Sequence, residues 1–272
     1  MNPWALLLLG LACMVLYQIV TGALWSVGHP LIGLVAAPIA GVLVPVWGVA
    51  RRLGLRARRE LRLGALPARS LACIVWILIS ALPAAYALNA LNSRLFQPAP
   101  ELLGFYRLLI PQDAISFVGG LLGVVILAPL AEEVVFRGLV LGVLLRHLPV
   151  PVAILLSGVL FSAAHGSPWL LLPIAFLGVL LGVVTWITRS LSAAWLGHAL
   201  FNLAAYLELS LTGDVASSHL EEWVLDPLVW AVSVVSFGAG LVGLARLRSR
   251  HERTRAPGNG LGRRTTGDVV RS

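Results

Sequence analysis

The sequence predicts an all-α fold, a polytopic helical membrane protein of about eight transmembrane helices, and two observations carry that prediction. The first is composition: of 272 residues 58% are hydrophobic and only 12% are charged. The mean hydropathy of +0.90 lies far above that of a soluble globular domain. The second is the shape of the apolar runs, which are long and unbroken. A bilayer core about 30 Å thick needs roughly 20 apolar residues in a helix. Continuous runs of that length exclude an outer-membrane barrel, whose strands read as short alternating segments.

The runs cover, in order, residues 4–25, 30–50, 70–91, 114–148 with an internal Pro129, 151–165, 168–188, 191–207 and 227–247. The first contains "LLLLGLACMVL" and has the look of a secretory signal. No basic residue precedes it, however, and it continues apolar past Cys13, which points to a retained first helix. Cys13 and Cys73 both lie in apolar runs, where a thiol behaves as a small hydrophobe, so no disulfide or zinc framework follows from them.

Orientation follows from arginine, because the chain has no lysine. Arg51, Arg52, Arg56, Arg58, Arg59, Arg62 and Arg69 crowd one loop, and Arg246, Arg248, Arg250, Arg253, Arg255, Arg263, Arg264 and Arg271 crowd the tail. Both segments are expected on the cytoplasmic side. Segments 92–112 and 208–226 have an even or acidic balance, with Glu208, Asp214, Glu221, Glu222 and Asp226 in the second. Eight crossings with both termini cytoplasmic place every loop on its preferred side. The net charge of +8 therefore needs no nucleic acid as partner. The tail "RTRAPGNGLGRRTTGDVVRS" reads as a disordered cytoplasmic end lying near anionic lipid.

Few strongly polar residues interrupt the apolar runs, and the ones that matter for a site are Glu132, Glu133, Arg137, His165, His198 and Asn202. An ionisable side chain in mid-membrane costs roughly 2.5–3.5 kcal/mol on insertion scales, and such residues are functional-site candidates by default. Glu133 and Arg137 are four apart on one helix face and within reach of a salt bridge, whereas Glu132 points about 100° away. The pair neutralises itself and leaves Glu132 available.

Depth brings the others to the same level. With Pro149-Val150-Pro151 as the turn between two helices, Glu132 and His165 lie at similar distances on either side, so at about 1.5 Å per residue they can face each other. His198 and Asn202 share one face of a later helix at overlapping depth. Taken singly, either histidine is adequately explained as an interfacial residue or a partner of a backbone carbonyl. Taken with Glu132 and Asn202, the two form a shared polar site. His29, His147, His219 and His251 fall at predicted loops and receive no role.

These residues make a recognisable set: "EEVVFR" at 132–137, "FSAAH" at 161–165 and "HALFN" at 198–202. The set resembles the CPBP family of intramembrane proteases, also called the Abi or type II CAAX prenyl endopeptidase family, whose motifs are EExxxR, FxxxH and HxxxN. All three match in order. The resemblance implies that Glu132 and His165 activate the attacking water, that His198 and Asn202 stabilise the oxyanion, and that Glu133, Arg137 and Phe161 support them. That chemistry is coherent, since peptide hydrolysis needs a positioned base and donors for the developing negative charge.

The expected division is 1–113 for the N-terminal helices and basic loop, 114–207 for the catalytic core, 208–247 for the acidic loop and last transmembrane helix, and 248–272 for the disordered tail. No cofactor is required in the preferred reading. A divalent metal such as zinc, held by Glu132, His165 and His198, is the alternative, although the zinc-protease signature HExxH is absent. No GxSxG elbow is present, Ser157-Gly158 lacks the preceding glycine of a rhomboid-like loop, and the aspartates lie outside the apolar centres, which excludes an aspartyl dyad.

Two other classes predict different features. A transporter would also place ionisable groups in mid-membrane, but it predicts internal repeats, and none is visible. A catalytically silent scaffold or immunity protein would keep the same polar residues while binding a partner. The expected partners are the lipid bilayer and a membrane-anchored peptide or protein substrate, prenylated or bacteriocin-like. The arginine-only, alanine-rich composition fits GC-rich bacterial coding and hence a bacterial cell membrane.

Overall fold

The structure is a computed structural model that describes residues 2–54, 63–64, 66–98, 100–213 and 226–255. Arg56, Arg58, Arg59 and Arg62 of the basic loop, Asp214, His219, Glu221 and Glu222 of the acidic segment, and the tail from residue 256 lie outside the described residues. Within them the fold is all-helical, without a strand: α1 (Pro3–Ser26), α2 (Pro30–Arg52), α3 (Ala68–Leu95), α4 (Pro100–Arg107), α5 (Ala114–His147), α6 (Val150–Ala163), α7 (Pro168–Thr188), α8 (Leu191–Thr212) and α9 (Pro227–Arg255).

Six of these helices, α1, α2, α3, α5, α7 and α9, are long and apolar enough to cross a membrane, and the chain is an integral membrane protein. The expected eight exceeds that number for two physical reasons. Helix α6 has only 14 residues, short of the roughly 20 a bilayer core requires. Helix α8 has 22 residues, but His198, Asn202 and Glu208 lower its hydropathy. Helix α9 runs on to Arg255, past the expected boundary at Leu247, and takes in His251. The segment expected as a loop at 92–112 contains the short α4.

Helix starts follow local chemistry. Proline stands in the first turn of α1, α2, α6 and α7, where its missing N–H costs nothing. Asn2, Asp113 and Ser190 accept backbone N–H groups at the starts of α1, α5 and α8. In α5 the internal Pro129 is accommodated differently. The turn at Leu121–Leu127 is a wide π turn, in which Ala128 N–H bonds Gly123 O. The next carbonyl in that register, Val124, would be served by residue 129, and proline has no N–H to give. Asn202 Nδ2 on α8 supplies the missing donor at 3.0 Å, and Trp195 Nε1 bonds the nearby Ile126 O at 3.0 Å.

Two apolar clusters flank the middle of the bundle. One joins α1, α2 and α5 to Phe161 of α6; the other joins α3, α7, α8 and α9. Small residues let backbones approach closely, as membrane helix pairs require. A Cβ on Gly178 of α7 would lie 2.8 Å from Gly158 Cα of α6, and one on Gly158 would lie 2.8 Å from Val179 N. The α1–α2 pair closes in the same way, where a Cβ on Gly41 would meet Tyr17 Cα at 2.6 Å.

The helices alternate in direction. Helix α3 runs antiparallel to α9, since Gly240 packs on Ile77 and Gly243 on Cys73; this sets Arg69 at the same end as Arg246 and Arg248. Arg248 Nη1 donates to Trp186 O at 3.1 Å, one turn before Arg189. Arg51, Arg52 and Arg146 close α2 and α5 at that end too. Among the described residues, the opposite end holds Arg94 and Arg107 with Asp113, Glu208 and Asp226.

The Gly158–Gly178 crossing yields a stability prediction. Gly158→Val should destabilise the protein by about 1–3 kcal/mol through overpacking, read as a lower thermal unfolding midpoint in detergent. Gly142→Ala, with nothing within 4 Å of its added Cβ, should leave the midpoint unchanged; equal midpoints for both variants would contradict the close packing.

Candidate active site

The site is assembled on α5, at the end of α6, and on α8. Glu132 and Glu133 end the α-helical turn that follows Pro129, and a second wide turn, Val134–Val140, carries Arg137. Glu133 Oε1 accepts from Arg137 Nη1 at 3.0 Å and from His198 Nδ1 at 2.9 Å. Spacing alone paired Glu133 with Arg137; the structure gives the same oxygen a second partner on α8. Arg137 Nη2 donates to Gly178 O at 2.8 Å, so its guanidinium also reaches α7. All three side chains are buried.

Glu132 points elsewhere, as its 100° offset requires. Its Oε2 lies 3.8 Å from His198 Nε2 and 4.0 Å from His165 Nε2. His165 sits in the turn just past α6, with its Nδ1 2.9 Å from Phe161 O. Each histidine thus has its Nδ1 against an acceptor, which directs Nε2 toward Glu132. Phe161 is the hub of the packing: its ring meets the rings of Phe136, His165 and His198 edge-on at 5.1, 5.0 and 5.5 Å, and Arg137 Cζ lies 4.6 Å above it.

Asn202 shares the α8 face of His198 and lines the same cavity, but one of its amide N–H groups is committed to Val124 O. The cavity has a volume of about 410 Å³ and is bounded by Glu132, His165, His198 and Asn202 at one end. It extends along α3 and α8 to Ser93, Glu208 and Leu209, at the arginine-poor end of the bundle.

Three contributors escaped the sequence reading. Asn92 is fully buried; its Nδ2 donates to Pro168 O at 3.0 Å and to Trp169 O, and its Oδ1 accepts from Leu172 N at 3.0 Å. It thereby clamps the segment that follows His165. Tyr86 and Glu208, hydrogen-bonded at 2.9 Å, form the other end of the cavity. Asn92 and Glu208 each stand one residue beyond the apolar runs at 70–91 and 191–207, a signal that a search one position wider would have found.

As candidate metal ligands, Glu132, His165 and His198 converge, and their outer nitrogens are held as those of ligating histidines are. Nevertheless, among the described residues no three His, Cys, Asp or Glu side chains are arranged to hold one metal ion.

Fold and site together define a class: an α-helical integral membrane protein with a carboxylate and two imidazoles facing a cavity inside the bundle. Residues 114–204 match the family model of the type II CAAX prenyl endopeptidase Rce1-like proteins. The family resemblance of the three motifs is borne out over that segment, which spans α5, α6, α7 and most of α8. No curated protein and no solved structure matches the chain.

The shared oxygen of Glu133 makes a stability prediction. Glu133→Gln leaves the buried Arg137 without its counter-charge, which should cost about 3–5 kcal/mol. The expected readout is a sharply reduced yield and thermal midpoint of purified protein. Combining it with Arg137→Gln removes the stranded charge and should recover part of the loss; a double variant less stable than Glu133→Gln alone would refute the pairing.

Proposed function

We propose that the protein is an intramembrane endopeptidase that hydrolyses a peptide bond in a membrane-associated substrate with a water activated by Glu132 and His165. One observation carries the reading: the Nε2 atoms of His165 and His198 both lie within 4.0 Å of Glu132 Oε2 at the cavity wall. That separation is too long for direct hydrogen bonds and suits groups joined through one water. The match of residues 114–204 to a family of endopeptidases supports the same chemistry.

In this mechanism Glu132 takes a proton from water while the oxygen attacks the scissile carbonyl carbon. The resulting oxyanion is met by His198 and Asn202. Because His198 Nδ1 is turned to Glu133, donation from Nε2 to the oxyanion requires a proton on both ring nitrogens, so His198 acts as imidazolium at that moment. Asn202 offers the N–H that Val124 does not use. Collapse of the intermediate breaks the C–N bond, and the proton held by Glu132 passes to the leaving amine. Every step uses only the side chains of this protein and the water.

We further propose that the arginine-rich end is cytoplasmic, with both termini on that side, and that the cell membrane is bacterial. The charge asymmetry between the two ends supports this orientation. Reporter fusions after Arg62 and at the carboxyl terminus should both read cytoplasmic, and an extracytoplasmic signal from either would overturn it.

The mechanism is tested with purified protein in detergent and a lipidated candidate peptide. Glu132→Gln is nearly isosteric and should abolish cleavage while leaving the thermal midpoint close to wild type. Asn202→Ala should lower turnover by about 10²–10³, with some loss of stability because Val124 O loses its donor. Chelators should leave activity intact. Equal function of wild type and Glu132→Gln in cells would refute the protease and promote a scaffold or immunity role; loss of activity on chelation would instead restore the metal.

A further inference from the structure

The cavity has a second polar end that the water-activating groups do not use. Glu208 lies ten positions after His198 on α8, about 15 Å farther along at 1.5 Å per residue, and both bound the same cavity. Tyr86 Oη on α3 donates to Glu208 Oε2 at 2.9 Å, which fixes the carboxylate. Asn89 and Ser93, one and two turns farther along α3, line the same end. Between the two ends the walls include Leu82, Ala85, Phe201 and Ala205.

Joining α3 to α8 does not need a charge. Neutral amides make the comparable ties in this protein, Asn92 to α7 and Asn202 to α5. A carboxylate in a largely apolar cavity is costly unless something positive meets it, and no arginine or histidine of the described residues forms an ion pair with Glu208. The cavity therefore presents one fixed negative charge at a set distance from the proposed water.

We infer that Glu208, held by Tyr86, is a subsite for a cationic group of the peptide, a lysine or arginine side chain or a free α-amino group. An extended chain advances roughly 3.3 Å per residue, so about 15 Å sets that group three to five residues from the bond to be cleaved. Glu208 stands at the arginine-poor end, where few cations of the protein compete for it. On the proposed orientation the charged part of the peptide enters from the extracytoplasmic side. The inference rests on reading the cavity as a peptide site.

The test is binding, so that it does not depend on turnover. Full-length Glu132→Gln protein in detergent is titrated into palmitoylated, fluorescein-labelled ten-residue peptides that differ only in carrying Arg, Gln or Glu at one scanned position, and anisotropy is measured. The Arg peptide should bind at least about tenfold more tightly than the Gln peptide at its best position, and the Glu peptide more weakly still. Adding Glu208→Gln, whose amide oxygen still accepts from Tyr86, should erase the preference at unchanged thermal midpoint, and Glu208→Arg should reverse it. Tyr86→Phe should keep the sign of the preference while loosening it. Equal binding of the three peptides, a preference that survives Glu208→Gln, or no binding by any peptide would overturn the subsite. Failure of the protease reading looks different: charge-selective binding would persist while wild type showed no Glu132-dependent cleavage.

Discussion

One carboxylate oxygen, Oε1 of Glu133, organises the bundle around it. It receives the Arg137 guanidinium from its own helix and the His198 ring from α8, while Arg137 continues to Gly178 O on α7. Three helices are thus tied through one buried charged network. Such a network is weak evidence of stability by itself, because desolvating the charges offsets most of their attraction. Its value is positional: only one relative placement of α5, α7 and α8 satisfies it, and that placement brings His198 Nε2 to within 3.8 Å of Glu132. Phe161 completes the arrangement by giving Arg137 and both imidazoles a common ring to pack on.

Apolar composition and the length of the unbroken apolar runs made the helical membrane fold legible. The 3.6-residue period made Glu133–Arg137 legible as a pair and sent Glu132 to another face. Counting residues from the Pro149–Pro151 turn was enough to bring Glu132 and His165 to one level. The second bond of Glu133 was not legible, because a contact between residues 65 positions apart depends on how α8 packs, and spacing along one helix carries no information about that. The wide turns of α5 were hidden for a related reason. Pro129 announces a disturbed helix, yet the repair comes from Asn202, on a helix whose neighbours the sequence does not declare. Of the eight expected crossings, six meet the length and apolarity of a membrane span among the described residues, since α6 is short and α8 is diluted by His198, Asn202 and Glu208.

The membrane sets a second constraint, that every backbone group be satisfied within the protein. Asparagine meets it twice here. Asn202 serves the carbonyl that Pro129 leaves open, and Asn92 serves two carbonyls and one N–H where the chain enters α7. Both also border the cavity or the segment next to it, so the same bonds that make an irregular backbone tolerable also hold the cavity wall in place. His165, past the end of α6 and partly exposed, has no helix to fix it; its position depends on Phe161 O behind it and on the Asn92 clamp ahead.

The segment that matches the endopeptidase family model holds Glu132, His165, His198 and Asn202, but it does not wall the whole cavity that they face. Helix α1 lies along the second wide turn of α5, where Gly10 packs on Val135 and Leu139, and Gln18 reaches Ala164 O beside His165. Helix α3 contributes Asn92 to the His165 segment and Tyr86 to the far wall of the cavity. Glu132 and the two imidazoles come from α5, the end of α6 and α8, whereas the space in front of them is walled by α3, by Tyr106 of α4, by the first turns of α7 and by the last turns of α8. Leu82, Ala85, Tyr86, Asn89 and Ser93 of α3, with Glu208 and Leu209 of α8, therefore lie outside the three motifs and outside the matched segment, yet they wall the same cavity that Glu132 and the two imidazoles face.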